Sequence, residues 1–321
     1  MTISDKIQGA RCVVTGAAGF IGAHLCARLL QCGARVTGID CFTNYYDPAL
    51  KRRNVSGLVA DPAFKLMEAD LARTDLKPIV ADAEIIFHLA AQAGVRASWG
   101  EDFSLYTDRN VLATQRLLDA VSRLDRAKPR FVFASSSSVY GDSESLPTME
   151  TAPRRPISPY GATKSLCEDL LRVYGKAMGI PWTALRYFTV YGPRQRPDMA
   201  FQKLLLLARD GGEFTVFGDG SQKRDVTYVL DAVEATIAAG VVPEAIHEVF
   251  NIGGGRMLIL RDVLEYVRSF ACPDFRLTYA DFQPGDARDT GASIEKARRI
   301  LGYNPSVSWQ EGLLEQRKAL L

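Results

Sequence analysis

Two short stretches of this chain carry groups that could move a proton. Ser135, Ser136, Ser137 and Ser138 follow one another at the end of an apolar run, residues 131–134, and Tyr160 is followed four positions later by Lys164. On a helix that spacing puts the phenol and the ammonium on one face. An ammonium near a phenol favours the phenolate and lowers a pKa that is ordinarily about 10. The phenolate can then take the proton of a hydroxyl that a serine holds from the other side. A lone tyrosine and lysine at this spacing also fit a solvated helix face, so the surrounding elements must decide.

Those elements read as strand, loop and helix. Residues 131–134 are a buried strand, which puts the serines at its C-terminal end, where open α/β sheets place ligand chemistry. Ser158 can cap a helix whose first turn takes Pro159, and the helix continues to about residue 177. Upstream, a short strand at 10–15 leads into Gly16-Ala17-Ala18-Gly19-Phe20-Ile21-Gly22 and an amphipathic run to Cys32. Glycines so placed permit a tight turn and close approach of backbone to a pyrophosphate, and the helix N-terminus favours its charge.

A second strand, 34–40, ends in Asp40 about twenty residues further on. Its carboxylate suits the two adenosine ribose hydroxyls and would repel a 2′-phosphate, so NAD is expected rather than NADP. A third strand, 64–67, leads to Asp70 and Leu71; a fourth, 85–91, ends in Leu89, Ala90 and Ala91, where small alanines leave room for a dinucleotide. His88 reads as a packed strand residue. Residues 104–124 form a long helical pattern with Asn110 as its polar exception, available to the helix backbone, to a nearby loop or to Lys164. Residues 182–187 are a sixth strand.

This alternation implies an α/β fold, a doubly wound parallel Rossmann sheet, over residues 1–186. Beyond it the rhythm breaks into a basic loop at 190–197, short strands at 214–217 and 225–228, and helices near 229–239, 260–270, 294–301 and 309–320. We read residues 187–321 as a smaller C-terminal α/β substrate lobe, with about 229–254 rejoining the first domain and 249–252 returning to its sheet.

Composition narrows the partners. In 321 residues, 47% hydrophobic and 24% charged, the net charge is +2, which gives no reason to expect nucleic acid or a membrane surface. The six cysteines include no Cys-x-x-Cys and read as free thiols in a reducing cytoplasm; three scattered histidines argue against a metal site. No run approaches membrane-spanning length, and the N-terminus lacks the apolar core of a signal peptide.

Taken together, the glycine turn, Asp40, His88-Leu89-Ala90-Ala91, Ser135 to Gly141 and the Tyr160/Lys164 pair resemble the extended short-chain dehydrogenase/reductase family that acts on nucleotide sugars. The resemblance covers nearly the whole chain, through Arg186-Tyr187-Phe188, 218–225, Asn251-Ile252-Gly253 and Gln283-Pro284-Gly285-Asp286. Residues 91–96 and 189–201 are most similar to its UDP-glucuronate 4-epimerase branch.

The resemblance implies that Gly16, Gly19, Phe20, Ile21 and Gly22 hold the NAD pyrophosphate, Asp40 the ribose, and Asp70 and Leu71 the adenine. Leu89, Ala90, Ala91, Asn110 and Tyr187 would complete the cofactor site. Lys164 would bridge the nicotinamide ribose and Tyr160, while Ser136 partners the sugar O4. Arg224 would meet the UDP phosphates, with Arg288 as a further candidate, and Thr215 and Phe217 would flank the uridine. Cys41 departs from the asparagine expected after the ribose acid.

Residues beside Ser136 choose among the family's reactions. Dehydratases need an acid and a base there, and related decarboxylases need a glutamate; here Ser137 and Ser138 offer only hydroxyls. Two hydroxyls, with Thr189 and an inward Arg196, suit a carboxylate. The expected function is reversible C4 epimerisation of UDP-glucuronate to UDP-galacturonate through a 4-keto sugar. Alternatives are a UDP-glucose/UDP-galactose 4-epimerase, a decarboxylase or a nucleotide-sensing protein. A homodimer through the helices at 104–124 and 158–177 is also implied.

Overall fold

The computed structural model describes residues 3–281, 285 and 287–321, so the expectation for Gln283, Pro284 and Asp286 lies outside the described residues. Six strands come first: β1 (Arg11–Thr15), β2 (Arg35–Asp40), β3 (Phe64–Glu68), β4 (Ile85–His88), β5 (Arg130–Ser136) and β6 (Trp182–Tyr187). Then follow β7 (Thr189–Tyr191), β8 (Gly212–Phe217), β9 (Lys223–Tyr228), β10 (Glu248–Ile252), β11 (Met257–Ile259) and β12 (Phe275–Ala280).

Seven strands form one sheet in the order β10-β6-β5-β4-β1-β2-β3, and every pairing in it is parallel. Helices cover both faces, so strands such as β4 and β6 are buried along their whole length and read as continuous apolar runs. This is the doubly wound sheet that the alternation implied. The strand order reverses between β1 and β4, which opens a crevice at their C-terminal ends.

Close packing at that crevice depends on two glycines. Gly16 has φ +71°, and a Cβ there would lie 2.8 Å from the Ala90 nitrogen; a Cβ on Gly22 would lie 2.1 Å from the Gly16 carbonyl oxygen. Without side chains at these points, the helix Phe20–Gln31 starts directly against the end of β1.

Outside the main sheet, β11-β9-β7 make a three-stranded sheet, and β12 pairs with β8 in parallel. Two of the helices that went unseen in the sequence are Pro48–Ser56 and Ala200–Asp210. The second buries Phe201, Leu204, Leu205 and Ala208, a stripe at helical spacing that follows directly on a proline- and arginine-rich loop.

The pattern at 104–124 is not one regular helix. It runs as Phe103–Tyr106, a π-helical stretch Thr107–Leu112, and Ala113–Ser122. Asn110 sits in the wide turn. Its Oδ1 accepts from the Gln92 backbone N–H at 2.7 Å, and its Nδ2 donates to the Gln92 carbonyl at 3.1 Å and to Thr163 Oγ1 at 3.0 Å. Of the three roles open to Asn110, the structure shows the loop contact.

His88 is fully buried between Thr15 Oγ1, 2.7 Å away, and Thr114 Oγ1, 2.9 Å away. Burial lowers its pKa to about 3, with Lys164 adding to the effect, so the ring is neutral and structural. Beneath the serine run, Glu168 and Arg186 form a buried bidentate pair at 2.9 and 2.6 Å, and Ser135 donates to the same carboxylate at 2.6 Å.

Candidate functional site

The crevice at the strand ends is a cleft of about 390 Å³. Its lining brings together the glycine turn, Asp40, Asp70, Leu71, Leu89, Ala90 and Ala91 on one side, with Ser136, Ser137, Ser138, Tyr160, Lys164, Tyr187, Thr189 and Arg196 on the other. Residues from β2, β5, β6 and β7, from the loops after β1, β3, β4 and β7, and from two helices therefore meet in one place.

Ser136 ends β5 and caps the short turn Ser137–Val139, accepting from the Ser138 N–H at 3.1 Å. Its hydroxyl also donates to Ser138 Oγ at 3.1 Å. Tyr160 lies one residue inside the helix Pro159–Met178, whose N-cap Ser158 accepts from Gly161 N–H at 3.1 Å. Burial raises the Tyr160 pKa, while a hydrogen bond with Ser136 and the charge of Arg196 pull it down.

The Lys164 ammonium donates to the Ala134 carbonyl at 2.8 Å and lies 4.8 Å from the centroid of the Phe133 ring. Enclosure between helix and strand explains both this docking and a pKa lowered to about 8, against which Cys167 and Glu168 act. Arg196 is a cation whose charge pulls the Tyr160 pKa down.

On the cofactor side, the Asp40 carboxylate accepts from Phe42 N–H at 2.9 Å and Ala18 N–H at 3.2 Å, leaving lone pairs for further donors. Lys51 Nζ stands 3.8 Å away, and both groups are more than nine-tenths buried. Lys51 was missed in the sequence. Asp47 capping a helix that begins at Pro48 was the available signal, because it places Lys51 at the end of the first turn. Asp70 caps Ala72 N–H at 2.9 Å and pairs with Arg73 at 2.6 Å.

The glycine turn, an acid at the end of β2 and a Cβ-free approach at Gly16 and Gly22 fit a dinucleotide.

On the substrate side, Thr189 is open to the cleft, and the Tyr187 hydroxyl is engaged by Thr236 Oγ1 at 2.6 Å, so its ring alone lines the wall. Arg196 is only 21% exposed and pairs through two hydrogen bonds with Asp198, Nε to Oδ1 and Nη2 to Oδ2, each at 3.0 Å.

Five expected site residues do not line the cleft. Asn110 is turned into the helix junction, because its amide is consumed by Gln92 and Thr163. Phe217 lies 4.3 Å from the Arg96 guanidinium, and Thr215 Oγ1 is 3.4 Å from Thr278 Oγ1 on β12. Arg224 donates to the Ala287 carbonyl at 2.7 Å and to that of Arg288, while Arg288 N–H donates to Asp142 Oδ1 at 3.2 Å. These last four sit on and around β8 and β9. They adjoin the cleft through Arg96, which follows the lining residue Val95.

Comparison with known proteins agrees with this geometry. The family model "NAD dependent epimerase/dehydratase family" matches residues 12–253. A Bacillus subtilis protein named as an uncharacterized UDP-glucose epimerase is 41% identical over 95% of this chain and 96% of its own length. The UDP-glucuronate 4-epimerase of Thermodesulfobacterium geofontis is 35% identical over 94% of this chain and 93% of its own. Among solved structures, the Bacillus cereus UDP-glucuronic acid 4-epimerase in complex with UDP-glucuronic acid and NAD superposes with a TM-score of 0.91 at 40% identity, covering 97% of this chain and 98% of that one. With the match extending across the glycine turn, the serine run and the Tyr160 helix, the chain belongs to the NAD dependent epimerase/dehydratase family.

Proposed function

We propose that this enzyme interconverts UDP-glucuronate and UDP-galacturonate by inverting C4 of the sugar. The observation that carries the reading is Arg196 in the same cleft as Tyr160, beside hydroxyls at Ser137 and Ser138 where dehydration or decarboxylation would call for carboxyl groups. The Bacillus cereus neighbour, bound to UDP-glucuronic acid and NAD, supports it.

Tyr160 takes the O4 proton, with Ser136 holding the oxygen and Arg196 opposing the cost of burying a phenolate. NAD, when bound, supplies the acceptor for the C4 hydride and its return. Gly16, Gly19, Phe20, Ile21 and Gly22 would hold its pyrophosphate, Asp40 its ribose and Asp70 with Leu71 its adenine. Ser137, Ser138, Thr189 and Arg196 grip the C6 carboxylate. That grip keeps the carboxyl bond of the 4-keto sugar, a β-keto acid, from aligning for loss of carbon dioxide. The ketone then turns over and is reduced on its other face.

We assign residues 1–186, rejoined by 229–254, to the cofactor and 187–321 to the sugar nucleotide, with Thr215, Phe217, Arg224 and Arg288 toward its UDP end. The chain pairs as a homodimer through the helices at 103–122 and 159–178. Leu105 and Leu112 on one, and Leu166 and Val173 on the other, repeat at seven residues and are exposed. No helix among the described residues is long and apolar enough to cross a membrane, and we place the enzyme in the cytoplasm.

NMR of the product formed from UDP-glucuronate tests the reading. UDP-galacturonate at equilibrium with substrate is expected, and a UDP-pentose as the sole product would refute it. A second reading, epimerisation of neutral UDP-glucose, draws on the name of the Bacillus subtilis relative. Comparing turnover with and without the C6 carboxylate separates the two.

A further inference from the structure

We propose that Asp198 is a specificity-determining residue, which fixes the Arg196 guanidinium so that its free edge is presented to a carboxylate on the bound sugar. This rests on the uronate reading above. It adds a positioning residue to the expected contacts.

A guanidinium is a flat fork of five N–H donors. Asp198 takes one edge, through Nε and Nη2, and among the described residues Nη1 has no hydrogen-bond partner. Arg196 lines the same cleft as Tyr160, so the edge that Asp198 leaves free is available to a ligand bound there. Only Pro197 separates the two partners, and its fixed φ leaves the pair little freedom.

The carboxylate is itself held. Tyr45 donates to Asp198 Oδ2 at 3.2 Å, and the Arg196 guanidinium lies 6.0 Å from the centroid of the Tyr45 ring. Gly94, at φ +106°, crowds Tyr45 from behind, since a Cβ there would lie 2.5 Å from its hydroxyl. The loops after β2 and β7 therefore meet at one guanidinium, and the loop after β4 packs against Tyr45. Burial works to raise the Asp198 pKa, but the bonds from Arg196 and Tyr45 outweigh it and leave the acid below its ordinary range. It is an anion while substrate binds.

Ordering a long side chain before the ligand arrives removes that cost from binding. A neutral sugar has no group to use the prepared edge, so the gain accrues to the uronate. The opposite view is that Asp198 only cancels the charge of Arg196. In that case its removal would strengthen the pull on an anionic sugar.

The test compares the holoenzyme with Asp198→Asn and Tyr45→Phe. Binding of UDP-glucuronate and of UDP-glucose is measured by calorimetry, beside kcat/KM on the uronate and a thermal melt. In Asp198→Asn the affinity ratio of uronate to neutral sugar should fall roughly 10- to 100-fold, the worth of a charged hydrogen bond. Tyr45→Phe should shift the ratio less, in the same direction. An unchanged ratio, from equal weakening of both ligands, would overturn the proposal in favour of a structural role, and a rise would overturn it in favour of charge balance. Failure of the wild type to epimerise UDP-glucuronate would strike the functional reading instead, because the affinity ratio is read without turnover.

Discussion

Lys164 donates to the Ala134 carbonyl at 2.8 Å and so ties the helix that carries Tyr160 to the strand that ends in Ser136. One contact thus joins the two elements that carry the groups expected to share the sugar O4. It also buries the ammonium, and burial lowers its pKa to about 8.

The pH dependence follows from that value. Below about pH 8 Lys164 is charged, and above it the charge that favours the neighbouring phenolate is lost, so kcat should fall along an alkaline limb near 8. For stability, a base lowered from 10.5 contributes fully above 10.5 and loses that contribution as pH falls through about 8. Lys164→Met should lose about 10²–10⁴ in kcat, and its residual pH profile should lack the limb.

Ser136 acts on the phenol directly. Its hydrogen bond lowers a Tyr160 pKa that burial raises. Ser136→Ala should therefore reduce kcat and move the acidic limb of the residual rate to higher pH. Tyr160→Phe should lose about 10²–10⁴ in kcat at every pH.

Arg196→Ala should lose activity on UDP-glucuronate far more than NAD content. A charge-assisted contact is worth about 1.5–3 kcal/mol, or roughly 10- to 150-fold in kcat/KM. Denaturing the purified variant and assaying released dinucleotide supplies the control. Equal loss of both would make the arginine structural.

The buried Glu168–Arg186 pair should matter for stability. Glu168→Leu leaves Arg186, only 2% exposed, without its counter-charge, and urea denaturation should show a loss of about 3–5 kcal/mol. Glu168→Leu combined with Arg186→Met removes the stranded charge and should recover part of it.

Much of this architecture is local and was legible in the sequence. The strand expected at 182–187 is β6, the return of 249–252 to the main sheet is β10, and the Ser158-Pro159 start of the Tyr160 helix matches its cap. Each is written in a few neighbouring residues as apolar runs or caps. The π-helical turn was not legible, because it answers to a loop, at Gln92, eighteen positions away. Nor was the Tyr45–Asp198 contact, which spans 153 positions. Lys164 shows the same limit: its spacing from Tyr160 was visible, but the carbonyl that captures it was not. Periodicity reports which face a side chain occupies, and tertiary packing decides what it meets there.

The central claim is that the hydrogen removed from C4 comes back to C4. UDP-glucuronate carrying deuterium at that carbon, turned over by the purified holoenzyme in ordinary water, measures it directly by NMR. The expected result is UDP-galacturonate that keeps the label at C4. Label washed out into solvent would contradict the account.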